Sequence, residues 1–470
     1  MIKNSYSYIG SGLFLLLALA VMILKPFSPD LGDQGQMVIG GVLITIGIWI
    51  FKPFDLPLSA GAMFLAFFLL FQGLAPHVVL SGFAGSALWT LIPALYFGYI
   101  LQKTGLGRRI ALGIIKVFKP TYPFLIIAWL IIGIGLSAMT PSMTVRVAIL
   151  IPIALQLNEL FKLEKGSKGN SLMLLTALAV AIIPGQGWLT GSLSGPIIQG
   201  MFDSTPELAG LITFDIWLSV NLLPMLAVTV LLLVGGYFAL KPADRLSVAT
   251  ISELKQQKTE KISRDEIATV VILALVFVLF LTESFHGIPT AGVCLIALVF
   301  FFVFRVIVTS DINAGINWDL VIFLGVALSM GAVVSAVDIA PWLAKIVVPA
   351  LSPIAANPWL FVLLVATVLF LWRFVDTALL IPTMAIIIPI LPAISEAYSI
   401  SPLVWIPMFC MAAPAMFLSY QNMWVLMTNT MAGERALPAR HLFVFGAVYF
   451  LACLIVLGLA TPAYLEMGLL

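Results

Sequence analysis

Apolar segments long enough to cross a bilayer follow one another along almost the whole chain, and they limit what it can fold into. They lie at 8–24, 37–51, 57–74, 83–102, 171–200, 212–240, 267–283, 288–308, 318–339, 402–431 and 442–463. Hydrophobic residues make up 62% of the 470 positions and charged residues 9%, which excludes a soluble domain. The sequence therefore predicts an all-α polytopic protein with about 11 spans in a lipid bilayer.

Two further apolar segments, 122–160 and 354–398, are too long for one span and carry polar residues at their middles. The interruptions are "SAMTPSMT" at 137–144 and "RFVDTALLIPT" at 373–383. Each pattern predicts two half-depth helices that meet at a tip, which is a re-entrant hairpin. Non-helical backbone survives at membrane depth only where protein buries it or where it lines a cavity. The two tips are therefore expected to face one another at a cavity.

Lysine and arginine are distributed unevenly over the connecting loops. With the N-terminus inside, nineteen of these residues fall on the inner side and only Lys25 and Lys345 on the outer side, while Arg146 and Arg373 remain at membrane depth. Cytoplasmic loops typically carry this excess of basic residues. The pattern predicts a protein of the cytoplasmic (inner) membrane with its N-terminus inside and its C-terminus outside. The net charge of +2 gives no indication of a nucleic-acid partner.

A charged stretch at 241–266 divides the chain into two halves that repeat each other. It is expected to be a solvated helical linker between a first repeat at 1–240 and a second at 267–470. "VAILIPIALQLNEL" at 147–160 matches "MAIIIPILPAISEA" at 384–397 in its apolar positions. The first hairpin enters from inside and the second from outside, so the repeat is inverted. Inverted repeats with paired broken helices are typical of secondary transporters, which bind their substrate between the repeats.

Each hairpin is followed by a second interruption rich in small or polar residues. These breaks are "PGQGWLTGSLSGP" at 184–196 and "PAMFLSYQN" at 414–422. Backbone groups freed at such breaks ligate ions, and the N-termini of half-helices favour anions. The candidate binding residues in the breaks are Ser192, Ser194, Ser419, Gln421 and Asn422. The alternative is a pair of kinks whose backbone groups bond neighbouring hydroxyls.

Arg146 lies within the apolar run that follows the first tip. A charge at membrane depth is costly and usually faces a bundle interior or an aqueous cavity. Arg146 lies two residues beyond Thr144 and close to a helix N-terminus. Its guanidinium would attract a carboxylate or a sulfate there. The alternative is a structural arginine that pairs with a carboxylate or with carbonyls of the other hairpin.

Asp376 is the carboxylate that the sequence places at membrane depth, three residues after Arg373. At that spacing the two side chains can satisfy each other on one helix face, which would leave Arg146 for the substrate. Asp376 also supports a rival function, a cation/proton antiporter in which this carboxylate carries the proton.

The sequence contains none of the common catalytic motifs, such as HExxH, GxSxG or GxxxxGK[ST]. An intramembrane enzyme would need a serine or aspartate dyad, and Asp376 is the available carboxylate. A membrane enzyme or a channel is therefore the weaker alternative. The sequence predicts that the chain is not an enzyme and has no cofactor.

Two stretches resemble the divalent anion:sodium symporter family, which comprises the sodium:dicarboxylate and sulfate carriers. "LSGFAGSALWTLIPALYFGYILQKTGLGRRIAL" at 80–112 resembles the family's fourth-span region, above all in "KTGLGRR". "PSMTVRVAILIPIA" at 141–154 resembles its Ser-Asn-Thr signature and the apolar run that follows. The resemblance covers nearly the whole chain. It implies an elevator mechanism and a homodimer whose scaffold is formed by the spans before residue 120 and by those at 267–345.

The resemblance also implies a site for a small anionic substrate at the hairpin tips, with sodium held by nearby carbonyls. The positions that match the two signatures are Ser142, Met143 and Thr144 in the first tip, and Leu379, Leu380 and Ile381 in the second, which follow Asp376 and Thr377. Both signature asparagines are replaced, by Met143 and Leu380. We expect weak or no sodium dependence, because the guanidinium of Arg146 brings the positive charge that sodium brings in the family.

Overall fold

The computed structural model describes residues 2–243, 246 and 261–470, and this part of the chain contains α-helices and no β-strand. The helices of the first half are α1 (Ile2–Leu24), α2 (Asp33–Phe51), α3 (Leu58–Phe71), α4 (Pro76–Val79), α5 (Ser81–Ala84), α6 (Ser86–Lys103), α7 (Leu106–Val117), α8 (Tyr122–Met139), α9 (Met143–Leu160), α10 (Lys168–Ile182), α11 (Ser194–Asp203), α12 (Phe214–Trp217) and α13 (Leu223–Leu240). The predicted all-α architecture is confirmed.

The described residues of the second half form twelve further helices. They are α14 (Arg264–Leu281), α15 (Glu283–His286), α16 (Thr290–Val303), α17 (Trp318–Leu328), α18 (Met330–Ala336), α19 (Ile339–Ala355), α20 (Pro358–Trp372), α21 (Ile381–Ile387), α22 (Leu391–Tyr398), α23 (Trp405–Ala412), α24 (Met423–Ala432) and α25 (Ala439–Glu466). Short 3₁₀ turns join several of them, and one π-helical turn, Leu218–Leu222, leads into α13.

Proline and small polar residues determine where many of these helices begin. A proline occupies the first or second position of α8, α13, α20 and α21, where the missing N–H costs nothing. The side chains of Ser142, Ser167, Ser263 and Asn357 accept an N–H from the first turn of the helix that each precedes. The two hairpin arms α9 and α20 each begin with such a cap, so the local sequence fixes where the tip and the arm start.

The helices pack as two groups, which we call the scaffold bundle and the hairpin bundle. The scaffold bundle consists of α1–α6 and α14–α18. The hairpin bundle consists of the helical pairs α8–α9 and α20–α22, the broken helices α10–α11 and α23–α24, and the long helices α13 and α25. The bundles meet where α11 and α21 lie against α6, α17 and α18. The scaffold bundle contains the predicted scaffold segments, and the hairpin bundle contains every candidate binding residue.

Two helices, α7 and α19, connect the bundles, one in each half. α7 runs from the end of α6 to the start of α8, and it buries Leu106, Gly107, Ala111 and Ile115 along one side. Its other side carries Arg108, Arg109 and Lys116. A helix with this division between an apolar face and a basic face is suited to lie in the membrane interface.

A buried carboxylate ties the end of α6 to the loop that follows α16. Asp311 accepts hydrogen bonds from Lys103 Nζ at 2.5 Å, Tyr99 Oη at 2.7 Å and the Val308 N–H at 2.8 Å. Burial alone would raise the pKa of Asp311, but these three hydrogen bonds outweigh it and lower the pKa to about 2. The pKa of an aspartate in the unfolded chain is about 4. The stability that this contact contributes is therefore fully present above about pH 4, and it is lost as the pH falls toward the lower pKa of Asp311 in the folded protein.

Three of the predicted spans are interrupted. The segment 171–200 divides into α10 and α11, and 402–431 divides into α23 and α24, because the predicted breaks rich in glycine, proline and serine lie inside them. The segment 318–339 is kinked at Ser329, whose hydroxyl donates to the Gly325 carbonyl at 3.0 Å and accepts the Gly82 N–H at 2.9 Å. The two breaks that the sequence predicts therefore lie within these segments, and Trp318–Ala336 remains long and apolar enough to cross a membrane.

Neither hairpin segment forms one continuous helix. α8 and α9 are separated by 140–142, and α20 and α21 by 373–380, within the interruptions that the sequence predicts. The arms α8 and α9 have 18 residues each and are about 27 Å long, which exceeds the expected half-depth. The re-entrant course of both hairpins stays a prediction.

Length and composition identify nine helical stretches of the described residues that could cross a membrane, and both arms of the first hairpin are among them. The predicted number of about 11 spans therefore also stays a prediction. The predicted helical linker at 241–266 lies for the most part outside the described residues.

Candidate functional site

The first hairpin tip is a three-residue turn, 140–142, held by its own side chains. The Ser142 hydroxyl accepts the Val145 N–H at 3.3 Å, and the Thr140 hydroxyl accepts the Ser142 N–H at 3.1 Å. Thr140 is 1% exposed and Ser142 is 8% exposed. Ser142, which the sequence assigns to the substrate, therefore caps α9 and shapes the turn.

Arg146 is fully buried in the first turn of α9, and its guanidinium binds three backbone carbonyls. Nε donates to the Ala181 carbonyl at 2.6 Å, and Nη1 donates to the carbonyls of Gly191, at 2.8 Å, and Thr140. Ala181 lies in the last turn of α10, Gly191 in the break after it and Thr140 in the tip. The arginine thus fastens the hairpin tip to the broken helix.

The break between α10 and α11 approaches this guanidinium closely because it contains glycine. A Cβ on Gly185 would lie 2.3 Å from Arg146 Nη2 and 2.3 Å from the Gly191 carbonyl oxygen. Only a residue without a side chain fits at this distance. Arg146 Nη2 itself has no hydrogen-bond partner.

The second tip also has a fully buried arginine that binds backbone carbonyls. Arg373 follows the last turn of α20, and its Nη1 donates to the Asp376 carbonyl, while Nη2 donates to the Gln421 carbonyl at 2.5 Å. It joins the second tip to the second break, as Arg146 joins the first tip to the first break. Nε of Arg373 has no partner.

The predicted side-chain pair between Arg373 and Asp376 is wrong. The guanidinium binds the backbone carbonyl of Asp376, while the carboxylate accepts the Ala378 N–H at 3.0 Å and the Thr383 hydroxyl at 2.5 Å. The prediction assumed one helix face, but α20 ends at Trp372, so the spacing of three residues is not a helical one.

Two consecutive leucines at the second tip adopt a left-handed backbone conformation. Leu379 has a φ of 58° and Leu380 a φ of 61°. This conformation costs a residue with a Cβ about 1–2 kcal/mol, and such strain is concentrated at functional sites. Leu380 is also the residue from which α21 starts. The strained pair occupies positions that match the family's second signature.

The two halves are joined at the tips through the second break. The Trp424 indole N–H donates to the Thr144 hydroxyl at 3.1 Å, across the boundary between α24 and α9. Asn422 orients this helix start, since its Oδ1 accepts the Trp424 N–H at 3.0 Å and its Nδ2 donates to the Pro414 carbonyl at 3.1 Å. Gln421, which binds Arg373, lies three residues before Trp424. The expected direct approach of the two tips stays a prediction, and this indirect connection links them.

The other predicted residues divide into a buried set and an open set. Ser192 is fully buried and donates to Gln186 Oε1 at 2.9 Å, Met143 is 1% exposed, and Ser194 is 4% exposed. Thr144 is exposed, and Thr377 and Ser419 are half-buried. A substrate can reach the residues of the open set directly. To reach Ser142 or Ser192 it would have to displace the hydrogen bonds that these two hydroxyls already make.

Sequence reasoning missed the residues that act through their backbone. The carbonyls of Thr140, Ala181 and Gly191 bind Arg146, but every residue carries a carbonyl, so no sequence signal marks these three. Thr383, which binds the Asp376 carboxylate, and Trp424 were missed as well. The position of Trp424 directly after the second break is the one signal that pointed to it.

The site as a whole is electropositive. Neither Arg146 nor Arg373 takes part in an ion pair with a described carboxylate. Three buried donors, Arg146 Nη2, Arg373 Nε and Gln421 Nε2, have no hydrogen-bond acceptor. A buried cation without a counterion is costly, and an anion that accepts from these donors would relieve that cost. The arrangement suits an anionic ligand.

The first tip does not fit a sodium ion beside Arg146. Carbonyls at unwound segments and at the ends of half-helices hold sodium in many secondary transporters. Here the carbonyls of Thr140, Ala181 and Gly191 already bind the guanidinium. The described residues also contain no group of three or more His, Cys, Asp or Glu side chains that could hold a metal ion.

Hairpins and broken helices that occur twice in one chain, around an electropositive centre, define a membrane transporter of anions. The solved structure of the YdaH transporter from Alcanivorax borkumensis has the same fold, with a TM-score of 0.55 over 83% of this chain and 88% of that one, at 13% identity. This likeness supports the fold and not the substrate.

The family model described as the sodium:sulfate symporter transmembrane region matches residues 8–464, and the chain belongs to this family. It is similar to the sodium-dependent dicarboxylate transporter SdcS of Staphylococcus saprophyticus, with 24% identity over 88% of this chain and 84% of that one. It is also similar to an L-tartrate/succinate antiporter of Shigella sonnei, with 23% identity over 81% and 79%. The chain is therefore a transporter and not an enzyme, and the cation/proton antiporter alternative is not favoured.

Proposed function

We propose that this protein is a secondary active transporter that carries carboxylate-type or sulfate-type anions across the cytoplasmic membrane without depending on sodium. The family and the names of the relatives support an anionic substrate, and one of those relatives is an antiporter. Exchange of one anion for another needs no coupling ion. An anion exchanger, in which the gradient of one anion drives the uptake of another, is compatible with a site that has its own fixed cations.

The observation that carries this proposal is the set of hydrogen bonds made by Arg146. Its guanidinium binds the carbonyls of the first tip, of the end of α10 and of the break after it. Two unit charges about 4 Å apart interact by roughly 4 kcal/mol at an effective dielectric constant of about 20. A sodium ion beside this guanidinium would be repelled by that amount, while an anion would be attracted by the same amount. The arginine therefore makes sodium redundant at the first tip.

The substrate would lie between the two tips, near three accessible hydroxyls and two buried donors without partners. Thr144, Thr377 and Ser419 offer hydroxyls, and Arg146 Nη2 and Gln421 Nε2 offer N–H groups without partners. The second tip offers apolar side chains at 379–381 in place of polar ones. An anion with one charged end and an apolar body fits this combination better than one with two equivalent carboxylates.

Transport would follow an elevator mechanism within a homodimer, with the N-terminus inside and the C-terminus outside. The division into a scaffold bundle and a hairpin bundle, joined by α7 and α19, supports this proposal. The scaffold bundle would form the dimer interface, while the hairpin bundle would carry the substrate. Cross-linking in native membranes is expected to give a dimer, and a monodisperse monomer in mild detergent without any cross-linked dimer contradicts this part of the proposal.

The test of the function is uptake of radiolabelled anions into liposomes that contain the purified protein. Succinate, a monocarboxylate with an apolar body and sulfate are offered in parallel, each with and without an unlabelled anion inside the vesicles. We expect saturable uptake of at least one carboxylate or of sulfate, with internal anion increasing the rate if the protein is an exchanger. Uptake equal to that of empty liposomes for all three anions contradicts the proposal.

A further inference from the structure

A cleft lies between the α6–α7 corner and the hairpin arm α9, and its polar residues lie toward the end of α9 that is remote from the first tip. It encloses about 420 Å³ and is lined mainly by the apolar residues Leu101, Ala148, Ile149, Pro152 and Ile153. Its polar lining consists of Gln102, Arg108 and Gln156, together with the backbone at Gly105. The cleft therefore has an apolar wall with a small number of polar groups and one cation.

Arg108 differs from Lys103 and Arg109 because no carboxylate of the described residues pairs with it. Lys103 pairs with Asp311 at 2.5 Å, and Arg109 pairs with Glu266 at 2.5 Å. Arg108 is exposed and takes part in no ion pair or side-chain hydrogen bond with a described residue. It also lies in the first turn of α7, where the helix dipole disfavours a cation. An anion in the cleft would offset both effects.

The lining of the cleft begins near the first tip, at Ala148, and its polar end lies further along α9. Its residues Pro152 to Gln156 lie nine to thirteen positions after Met143, so they are about 14–20 Å from the first tip along α9. The cleft lies at the end of α6 and beside the amphipathic α7, on the side where basic residues are concentrated. Basic pockets between helices on the cytoplasmic side bind the head groups of anionic lipids.

We propose that this cleft binds one anionic phospholipid of the inner leaflet. The phosphate accepts hydrogen bonds from Arg108 and from the side-chain amides of Gln102 and Gln156, while an acyl chain lies against Ala148, Ile149 and Ile153. A small soluble anion would use the guanidinium but not the apolar wall, so the wall favours a lipid.

The lipid would bridge parts of both bundles. Gln102 ends the scaffold helix α6, Arg108 belongs to the connecting helix α7, and Gln156 belongs to a hairpin arm. A molecule held by all three stabilises the arrangement in which α9 lies beside the α6–α7 corner. The anionic lipid content of the membrane would thereby influence the rate of transport, whatever anion is carried.

Native mass spectrometry of the full-length protein with added phosphatidylglycerol tests this proposal without measuring transport. The variants are Arg108→Gln and, as a matched control, Arg440→Gln. Arg440 is an exposed arginine in the first turn of α25 and does not line the cleft. We expect one tightly bound phosphatidylglycerol in the wild type and in Arg440→Gln. Arg108→Gln should weaken it about tenfold, the loss expected for one charge-assisted hydrogen bond. Equal retention of the lipid in all three proteins overturns the proposal.

Two further measurements separate a lipid from a soluble anion. Inorganic phosphate at millimolar concentration should not displace the bound lipid, and displacement by phosphate would mean that the cleft is a site for small anions. In transport-competent vesicles, wild-type uptake should differ between pure phosphatidylcholine and a mixture with phosphatidylglycerol, whereas Arg108→Gln should not distinguish them. An equal loss of uptake by Arg108→Gln in both membranes would place Arg108 on the substrate path instead. Lipid binding is measured directly and does not depend on transport. A protein that transports anions but binds no lipid contradicts only this proposal, and a protein that binds the lipid but transports no anion contradicts only the proposed function.

Discussion

Each hairpin tip is connected to the break that follows it by a buried arginine, but the two arginines lie on opposite arms of their hairpins. Arg146 follows the first tip, at the start of α9, and Arg373 precedes the second tip, at the end of α20. Each binds a carbonyl of its own tip and a carbonyl of the break that comes after its hairpin. Both halves therefore connect tip and break through an arginine, although the two arginines lie on opposite arms.

The residue that corresponds to Arg146 in the second half follows from the sequence match between 147–160 and 384–397. The offset of 237 residues that aligns 147–160 with 384–397 places Thr383 opposite Arg146. Thr383 donates to the Asp376 carboxylate at 2.5 Å. One position thus holds a cation in the first half and supports an anion in the second half.

The two tips also differ in charge. The first has a guanidinium bound to three carbonyls and no carboxylate in an ion pair with it, whereas the second has a carboxylate within three residues of its guanidinium. The first tip is consequently the stronger attraction for an anion, and the second is closer to neutral. Unequal tips suit a substrate with one charged end.

The largest expected effect comes from Arg146→Ala, which should reduce anion uptake by more than about 100-fold, since hydrogen bonds to a charged group contribute about 1.5–3 kcal/mol each. The measurement is initial uptake in liposomes, with size-exclusion chromatography to show that the variant folds. Arg146→Lys should retain a small part of the activity, because an ammonium keeps the charge but loses the planar fork. Arg440→Ala is the control for loss of a surface arginine. Normal uptake by a well-folded Arg146→Ala would show that the first tip does not attract the anion more strongly than the second.

Gly185→Ala should be almost as damaging, because the new Cβ would lie 2.3 Å from both Arg146 Nη2 and the Gly191 carbonyl oxygen. Displacement of the guanidinium should lower uptake by roughly 10- to 100-fold, in line with the 1–3 kcal/mol typical of overpacking. The matched control is Gly113→Ala, since a Cβ on Gly113 would meet nothing within 4 Å. Normal transport by both alanine variants would show that the first break does not fix the position of Arg146.

Arg373→Ala should reduce uptake by about tenfold, which is less than the loss for Arg146→Ala. The second tip retains Asp376, whose carboxylate is held independently by the Ala378 N–H and by Thr383. Both variants are compared at the same protein density in the same liposomes. A greater loss for Arg373→Ala than for Arg146→Ala would reverse the ranking of the two tips.

Asp376→Asn should lower uptake by only about threefold, because the amide oxygen still accepts the Ala378 N–H and the net loss of one hydrogen bond is about 0.5–1.5 kcal/mol. The same substitution distinguishes this account from proton coupling through Asp376. Uptake is measured at pH 6 and pH 8 in both proteins, with and without a pH gradient. Abolished transport in the variant, or uptake in the parent that depends on the pH gradient, would assign the proton to Asp376.

Trp424→Phe should have the smallest effect, a loss of about twofold to fivefold, since it removes one neutral hydrogen bond to Thr144 and keeps most of the ring's packing. Thr144→Val removes the same bond from the other side, so the double variant should be no worse than the single ones. Additive losses in the double variant would show that the two side chains act separately and that this contact does not connect the halves.

The sequence was sufficient for the all-α class and for the positions of the helix interruptions, because hydrophobic length and helix-breaking residues are properties of side-chain type. The hairpin interruptions, the two breaks and the burial of Arg146 and Arg373 all follow from where proline, glycine and charge occur in apolar runs. The hydrogen-bond partners of the two arginines could not be predicted from the sequence. They are backbone carbonyls of Thr140, Ala181 and Gln421, among others, and only the folded chain brings these groups together.

The predicted pair between Arg373 and Asp376 was wrong for the same reason, because the sequence does not show which groups the folded chain brings together. Arg373 and Asp376 have a spacing that suits a helix, but the helix ends before both, and their side chains turn to different partners. The role of Leu379 and Leu380 was also hidden, since a positive φ in a leucine has no sequence signal. Element boundaries at strained positions are set by tertiary packing.

The central claim is that a fixed guanidinium at the first tip replaces sodium, and a sodium titration tests it most directly. The initial rate of anion uptake into liposomes is measured while external sodium is replaced stepwise by choline at constant ionic strength. The account predicts rates that agree within about twofold across the titration, because a sodium ion about 4 Å from Arg146 would be opposed by roughly 4 kcal/mol. A steep increase of the wild-type rate with sodium would contradict it.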